Sequence, residues 1–159
     1  MKDNQMENIL RTLLKRGIRA TSSHIDPSTV LDGLEFRFVG LYALPIPNTI
    51  WQVAEHMQLW IKLKVDLFEG RPIAFPEGHG FGLSEAPASE QAWEQFKFDF
   101  KAALSRIEEL VETIDLTKRY PVWDDLSAAE IVGMMHNHNS YHAAQIVAMR
   151  RVLGVWNRP

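Results

Sequence analysis

The 159-residue chain is predicted to be all-α, a four-helix bundle with a short extra helix in the first connector. Three observations predict it. Four long stretches repeat apolar residues with helical spacing, N-capping signals open three of them, and the segments between show little strand patterning. Four long amphipathic helices bury their apolar stripes most simply against one another.

The first helix is expected from about Asn4 to Arg19, with Met6, Ile9, Leu10, Leu13, Leu14 and Ile18 as its apolar stripe and Gly17 weakening its last turn. Asp26-Pro27 then opens a short helical turn, with Pro where its missing N–H does no harm. Gly33, Gly40, Pro45 and Pro47 break the next stretch into an irregular connector, where Glu35–Val39 is a weak strand candidate without a partner. The second helix runs from about Thr49 to Glu69. Thr49 and Gln52 form a capping box, and Gly70-Arg71-Pro72 stops it. Its inward face reads Val53, His56, Trp60, Leu63, Leu67, with Ile50, Met57 and Ile61 beside it. Next comes a long Gly/Pro-rich loop carrying His79, of the kind that often lines a site.

Ser89 caps the third helix, which runs to about Ile114 and buries Trp93, Phe96, Phe100, Leu104, Ile107, Val111 and Ile114. Phe98 falls off that line. Ser127 and Glu130 form a second capping box for the fourth helix, which Gly154 ends, with Arg150 and Arg151 in the last turns where positive charge is favoured. Its core stripe reads Ile131, Met135, His138, His142, Gln145, Ile146, Met149, Leu153. Met134, Met135, Met149 and the five tryptophans are read mostly as packing, with one or two tryptophans free to wall a pocket.

Composition places the chain as one ordinary globular domain over 1–159, with 46% hydrophobic residues and 23% charged ones. A net charge of −3 and no Lys/Arg-rich run leave no electrostatic footprint for nucleic acid or an anionic membrane. With no cysteine, disulfides, thiolate metal sites and a Cys nucleophile are excluded, and a reducing cytoplasm is the expected home. The stretch MKDNQMENILRTLLKRG shows no signal-peptide core, and no apolar run reaches ~18 residues.

The fourth helix carries the candidate chemistry. His138 and His142 are four residues apart, about 400° of rotation, so both imidazoles lie on nearly the same face. They interrupt an apolar stripe, and His56 interrupts another. Buried imidazoles need partners. Three of them leave a tetrahedral ion one open position, the arrangement of a catalytic zinc site, where the pKa of a water falls to about 7 and a thiol is deprotonated. Histidines that pair only with one another remain the alternative. His24 and His79 lie in connectors, and His136 points away from His142, so none of the three is a ligand candidate. Glu55 adjoins His56 but projects about 100° away, which makes it a poor base.

The segment HNHNSYHAAQIVAMRRVLGVW resembles the C-terminal signature of DinB/YfiT-type proteins, in which a ligand histidine is followed by a second at four residues and a Gln three later: here His138, His142 and Gln145. The stretch PIPNTIWQVAEHMQLW resembles that family's second-helix segment and places the remaining ligand at His56. Ala144 stands where many members have Gly. The resemblance implies an up-down-down-up bundle, often a homodimer, and a divalent ion, with zinc or nickel first and iron or manganese next. It also implies a small-molecule substrate, with hydrolysis or transfer to a low-molecular-weight thiol as the reaction. Asn139, Tyr141 and Gln145 are the candidates for outer support or substrate contact, and Arg71, Arg150 and Arg151 for a basic pocket wall. No protein side chain is singled out as the catalytic group. A non-catalytic metal-binding or stress-response module is the competing reading.

Overall fold

The computed structural model describes residues 2–20 and 24–156. Four long helices carry the architecture: α1 (Lys2–Arg19), α2 (Ile50–Phe68), α3 (Glu90–Thr113) and α4 (Ala128–Val152). The capping signals act as read. Thr49 Oγ1 accepts from Gln52 N at 3.2 Å while Gln52 Oε1 accepts from Thr49 N at 2.9 Å. Ser127 and Glu130 repeat the exchange at the start of α4, and the Ser89 side chain caps α3. Each such cap contributes ~1 kcal/mol and fixes where its helix begins.

Side-chain contacts give the helix directions. Arg11 reaches the Val111 and Ile114 carbonyls while Arg19 pairs with Glu108, so α1 and α3 run antiparallel. Trp51 packs on Phe96 and Glu69 meets Arg106, so α2 and α3 run parallel. Leu67 clusters with Ala128 and Ile131, and His56 with His138 and His142, so α2 and α4 run antiparallel. The order is up-down-down-up, with α1 and α2 at opposite corners. The long first connector makes this non-sequential ring accessible.

The core is supplied by α2, α3 and α4: Met57 and Ile61, Trp93, Phe100 and Leu104, Met135 and Ile146 are fully buried. α1 contributes less than its periodicity predicts. Ile18 is buried and Leu14 partly so, but Met6 is 67% and Leu13 58% exposed, with Ile9 and Leu10 also open. The physical reason is that polar groups anchor this helix: Arg11, Lys15 and Arg19 reach across to α3 and turn the early apolar residues outward. Gly17 also has a role beyond weakening a turn. A Cβ there would meet His136 Nδ1 at 2.9 Å, so glycine is what lets α1 and α4 approach.

The first connector differs from expectation. Thr21–Ser23 lie outside the described residues. Residues 27–33 form consecutive turns instead of a helix, with Asp26 Oδ1 accepting from Ser28 N at 2.8 Å, and Gly33 at φ 65° ends them. Phe36–Phe38 is a 3₁₀ turn and no strand forms at Glu35–Val39. Tryptophans fasten these segments: Trp93 Nε1 donates to the Leu34 carbonyl at 2.8 Å, and Trp51 N to the Val39 carbonyl at 2.8 Å. Between α3 and α4 a small antiparallel hairpin, β1 (Arg119–Tyr120) with β2 (Leu126–Ser127), carries Trp123 into the bundle. Among the described residues, no helix is long and apolar enough to cross a membrane.

Arg150 does more than complement the end of α4. It is buried, and its guanidinium donates to the carbonyls of Val30 at 2.6 Å, Asp32 at 2.9 Å and Val155 at 3.3 Å. It ties the first connector and the chain after α4 to one point. Arg150→Ala strands these carbonyls and is expected to cost ~3 kcal/mol in urea denaturation. Arg151→Ala, on the exposed neighbour, is expected to change stability by less than about 0.5 kcal/mol.

Candidate metal centre

His56 stands on the second turn of α2, and His138 and His142 near the middle of α4. Antiparallel packing brings one ring nitrogen of each within 4.8 Å of the others. His56 Nε2 and His138 Nε2 are 2.8 Å apart. Two facing imidazole nitrogens at that distance either share one proton or both present lone pairs to a cation. Among the described residues no carboxylate joins the group. His56 Nδ1, on the far side of its ring, is buried without a formed hydrogen bond.

Burial governs the protonation of all three. His138 is pushed down to about 3, chiefly by desolvation and then by the neighbouring His142 and His56. His56 is pushed down to about 4 by desolvation and His142, opposed by the nearby Gly80 and His79 backbone. His142 is lowered too, by burial, against the hydrogen bond it donates to Gln145, which favours its charged form. The rings are therefore neutral at pH 7, which is the form that ligates. Uncharged nitrogen donors suit zinc, nickel, iron and copper.

Gln145 gives the clearest sign that the arrangement fits an ion. Its Oε1 lies 2.7 Å from His142 Nδ1, so that nitrogen carries the proton and Nε2 keeps its lone pair. The Gln145 amide nitrogen in turn donates to Tyr141 Oη at 3.3 Å. Asn139 is buried beside His138, but its Oδ1 is 3.5 Å from His138 Nδ1, at the outer limit of a hydrogen bond, and its Nδ2 has no partner. Tyr141 is 63% exposed. It lines a separate cavity of about 660 Å³ with His24, His136 and Arg151, and reaches the histidines only through Gln145 and an edge contact with His142.

A cavity of about 440 Å³ opens on the three histidines. Trp60, Phe81, Trp123 and Met134 supply its apolar wall, His79 stands at its exposed edge and Lys64 lies deeper. Met134, read from sequence as core filler, is half exposed at this wall. Phe81 stacks on His56 with ring centres 3.9 Å apart and planes within 4°. The turn that delivers it depends on Gly80, at φ 73°, where a Cβ would meet Leu59 Cδ2 at 2.9 Å. Glu55 fixes the same loop by accepting from Leu83 N and Ser84 N at 3.1 and 3.4 Å, which removes it from consideration as a base.

Lys64 and Phe81 carry no signal singled out in the sequence analysis, whereas Trp60 and Trp123 are two tryptophans that wall a pocket. The spacing His56, Trp60, Lys64 is a signal that could have found Lys64. The arginines offered for a basic wall are elsewhere: Arg71 pairs with Asp66 and Glu69, Arg150 holds the connector, and Arg151 lines the other cavity.

Gln145→Leu keeps the bulk but frees the His142 tautomer, and is expected to lower zinc affinity 10–100-fold in competition with a chelating dye, while the melting temperature of the metal-free protein changes little. In the metal-free protein, the unfolded chain binds more protons than the folded one from about pH 6.5 down to about 3. The contribution of the neutral rings is full above that window and is lost as pH falls through it. Denaturation at pH 7.5 and 5 is expected to show the loss, and changing all three histidines to alanine to flatten it.

A family model described as the DinB superfamily matches residues 13–146. Neither a curated protein nor a solved structure matches the chain. A bundle of this order, with a buried three-histidine group between its second and fourth helices, fits a metal-binding protein, and the extent of the match places the chain in the DinB superfamily.

Proposed function

We propose that this protein is a metal-dependent enzyme that activates a water or a small thiol, as a hydrolase or a low-molecular-weight-thiol S-transferase. The observation that carries the reading is the convergence of three neutral imidazoles at the wall of a ligand-sized cavity. A structural site is closed, whereas three uncharged donors beside open space leave room for a reacting molecule.

His56, His138 and His142 would hold the ion. Bound there, a divalent ion supplies Lewis acidity that lowers the pKa of a water or thiol toward neutrality. The remaining work falls to the chain. Gln145 holds the His142 proton on Nδ1, and the Phe81 stack fixes the plane of the His56 ring. Trp60, Trp123 and Met134 keep water from the apolar part of a substrate. Among the described residues no Asp or Glu lines this cavity, so no carboxylate base is assigned.

The substrate proposed for this enzyme is a small molecule and its setting the cytoplasm. Zinc or nickel is its first choice of ion. The enzyme is also proposed to be a homodimer, supported by the exposed apolar residues of α1.

Elemental analysis of protein purified without a His tag tests the site. About one ion per chain is expected for the wild type, and at least a tenfold loss in His56→Ala, His138→Ala and His142→Ala. Wild type holding less than about 0.1 ion per chain after incubation with zinc or nickel overturns the reading. A screen of thiols against electrophiles, and of activated esters and amides, tests turnover. Chelation is expected to abolish activity at a small cost in melting temperature. A large fall in melting temperature with no turnover under any condition favours the non-catalytic module instead.

A further inference from the structure

We propose that the cavity beside the three histidines takes a small organic anion, an apolar body ending in an oxyanion such as a carboxylate, and that Lys64 receives the acidic end. The proposal rests on the reading of this cavity as a substrate site and names the class of substrate.

Lys64 is 4% exposed and shares the cavity lining with His56, Trp60 and Trp123. It lies two helical turns beyond His56 on α2, with Trp60 on the turn between, so the Cα separation is about 12 Å. A ligand reaching from the ammonium to the histidines therefore crosses the Trp60 indole. The ammonium donates one hydrogen bond, to the Trp60 carbonyl at 3.1 Å. It stands over the rings of Trp60 and Trp123, at 5.4 and 4.7 Å from their centroids. Among the described residues it has no carboxylate partner. Burial pushes it down to about 7, and no acidic neighbour opposes that fall.

A buried ammonium without a counter-charge is costly, and a methionine of similar length would pack at this position without that cost. The two indole faces recover part of it but supply no acceptor oxygen. Two of the three ammonium donors are left without an oxygen, and the Trp60 Nε1 hydrogen is itself buried and unpaired. Among the described residues no Asp or Glu lines the cavity, so a cationic ligand would find no partner there, whereas an oxyanion completes the Lys64 set. Trp60, Phe81, Trp123 and Met134 then face the rest of the molecule.

The test compares 4-phenylbutyrate with its neutral amide, 4-phenylbutyramide, at about pH 6.5, where the ammonium is mostly protonated. Binding is read by intrinsic tryptophan fluorescence, since Trp60 and Trp123 flank the ammonium. Wild type, Lys64→Arg and Lys64→Met are each titrated zinc-loaded and after chelation. The chelated arm separates an acid held by Lys64 from one held by the ion. Wild type is expected to bind the acid about tenfold more tightly than the amide in both arms. In Lys64→Met the acid should fall to the affinity of the amide, which itself stays unchanged, and Lys64→Arg should keep a several-fold preference. Equal affinities for acid and amide in chelated wild type, no saturable binding of the acid, or an undiminished preference in Lys64→Met would each overturn the proposal. The wild-type comparison needs no variant to fold. Zinc content of the same samples distinguishes the two readings: zinc bound without acid preference defeats this proposal alone, and acid preference without zinc defeats the metal centre alone.

Discussion

Everything at the candidate site depends on one helix pairing, α2 against α4. Their antiparallel register sets Leu67 against Ala128 and Ile131 at one end and His56 against His138 and His142 toward the other. Met57, Ile61, Met135 and Ile146, all fully buried, pack around that pairing. A slip of one turn along either helix would move an imidazole by about 5 Å and break the 2.8 Å approach of His56 to His138. The two capping boxes define where each helix starts, the one on α2 ending at Gln52, a single turn before His56. The apolar packing offsets the cost of placing three imidazoles out of water. That same burial keeps them neutral and available to a cation.

A second layer of contacts converts proximity into orientation. Gln145 is satisfied on both sides, accepting from His142 and donating to Tyr141, so its amide cannot turn without losing a hydrogen bond. On the other helix the loop after α2 provides the constraint. Glu55 and the Trp51 indole hold the Leu83–Ser84 segment, Gly80 permits the left-handed turn, and Phe81 lies flat on His56. The loop is long because it must leave α2, return along it and still begin α3 parallel to it. Its length is a consequence of the down-down step in the bundle.

Much of this was legible in the sequence, and the part that was not has a physical reason. Apolar periodicity on α2, α3 and α4 reports burial directly, because those helices pack along most of their length. The inward placement of His56, His138 and His142 followed from the same periodicity. The outer half of α1 misled because periodicity measures amphipathicity, whereas burial requires a neighbour. Met6 and Leu13 stay more than half exposed within the described chain. Tyr141 is one residue from His142 along the helix, about 100° around it, so it lines a different cavity and meets the centre from outside, through Gln145. Phe81 was hidden, and Trp123 could be read only as one of several tryptophans able to wall a pocket, because a loop and a short hairpin place them and neither has a period. Lys64 was passed over because lysines are rarely buried. Its burial depends on two tryptophans, one of them from another part of the chain.

Charge links the centre to its cavity. Three imidazoles carry no charge when neutral, so unlike a carboxylate-containing set they would leave the whole charge of a divalent ion in place. The cavity lining adds Lys64 and no acid to offset it. Both features act in one direction. They favour electron-rich partners and disfavour cations, in a chain whose net charge is −3. A site more positive than the molecule around it draws anions by its local field rather than by the protein's overall charge. The apolar wall of Trp60, Phe81, Trp123 and Met134 lowers the local dielectric and strengthens that field. On the proposal that this cavity takes an organic anion, selection would come from two properties held together, a lipophilic body and a negative end, and a molecule with only one of them would meet half of the site.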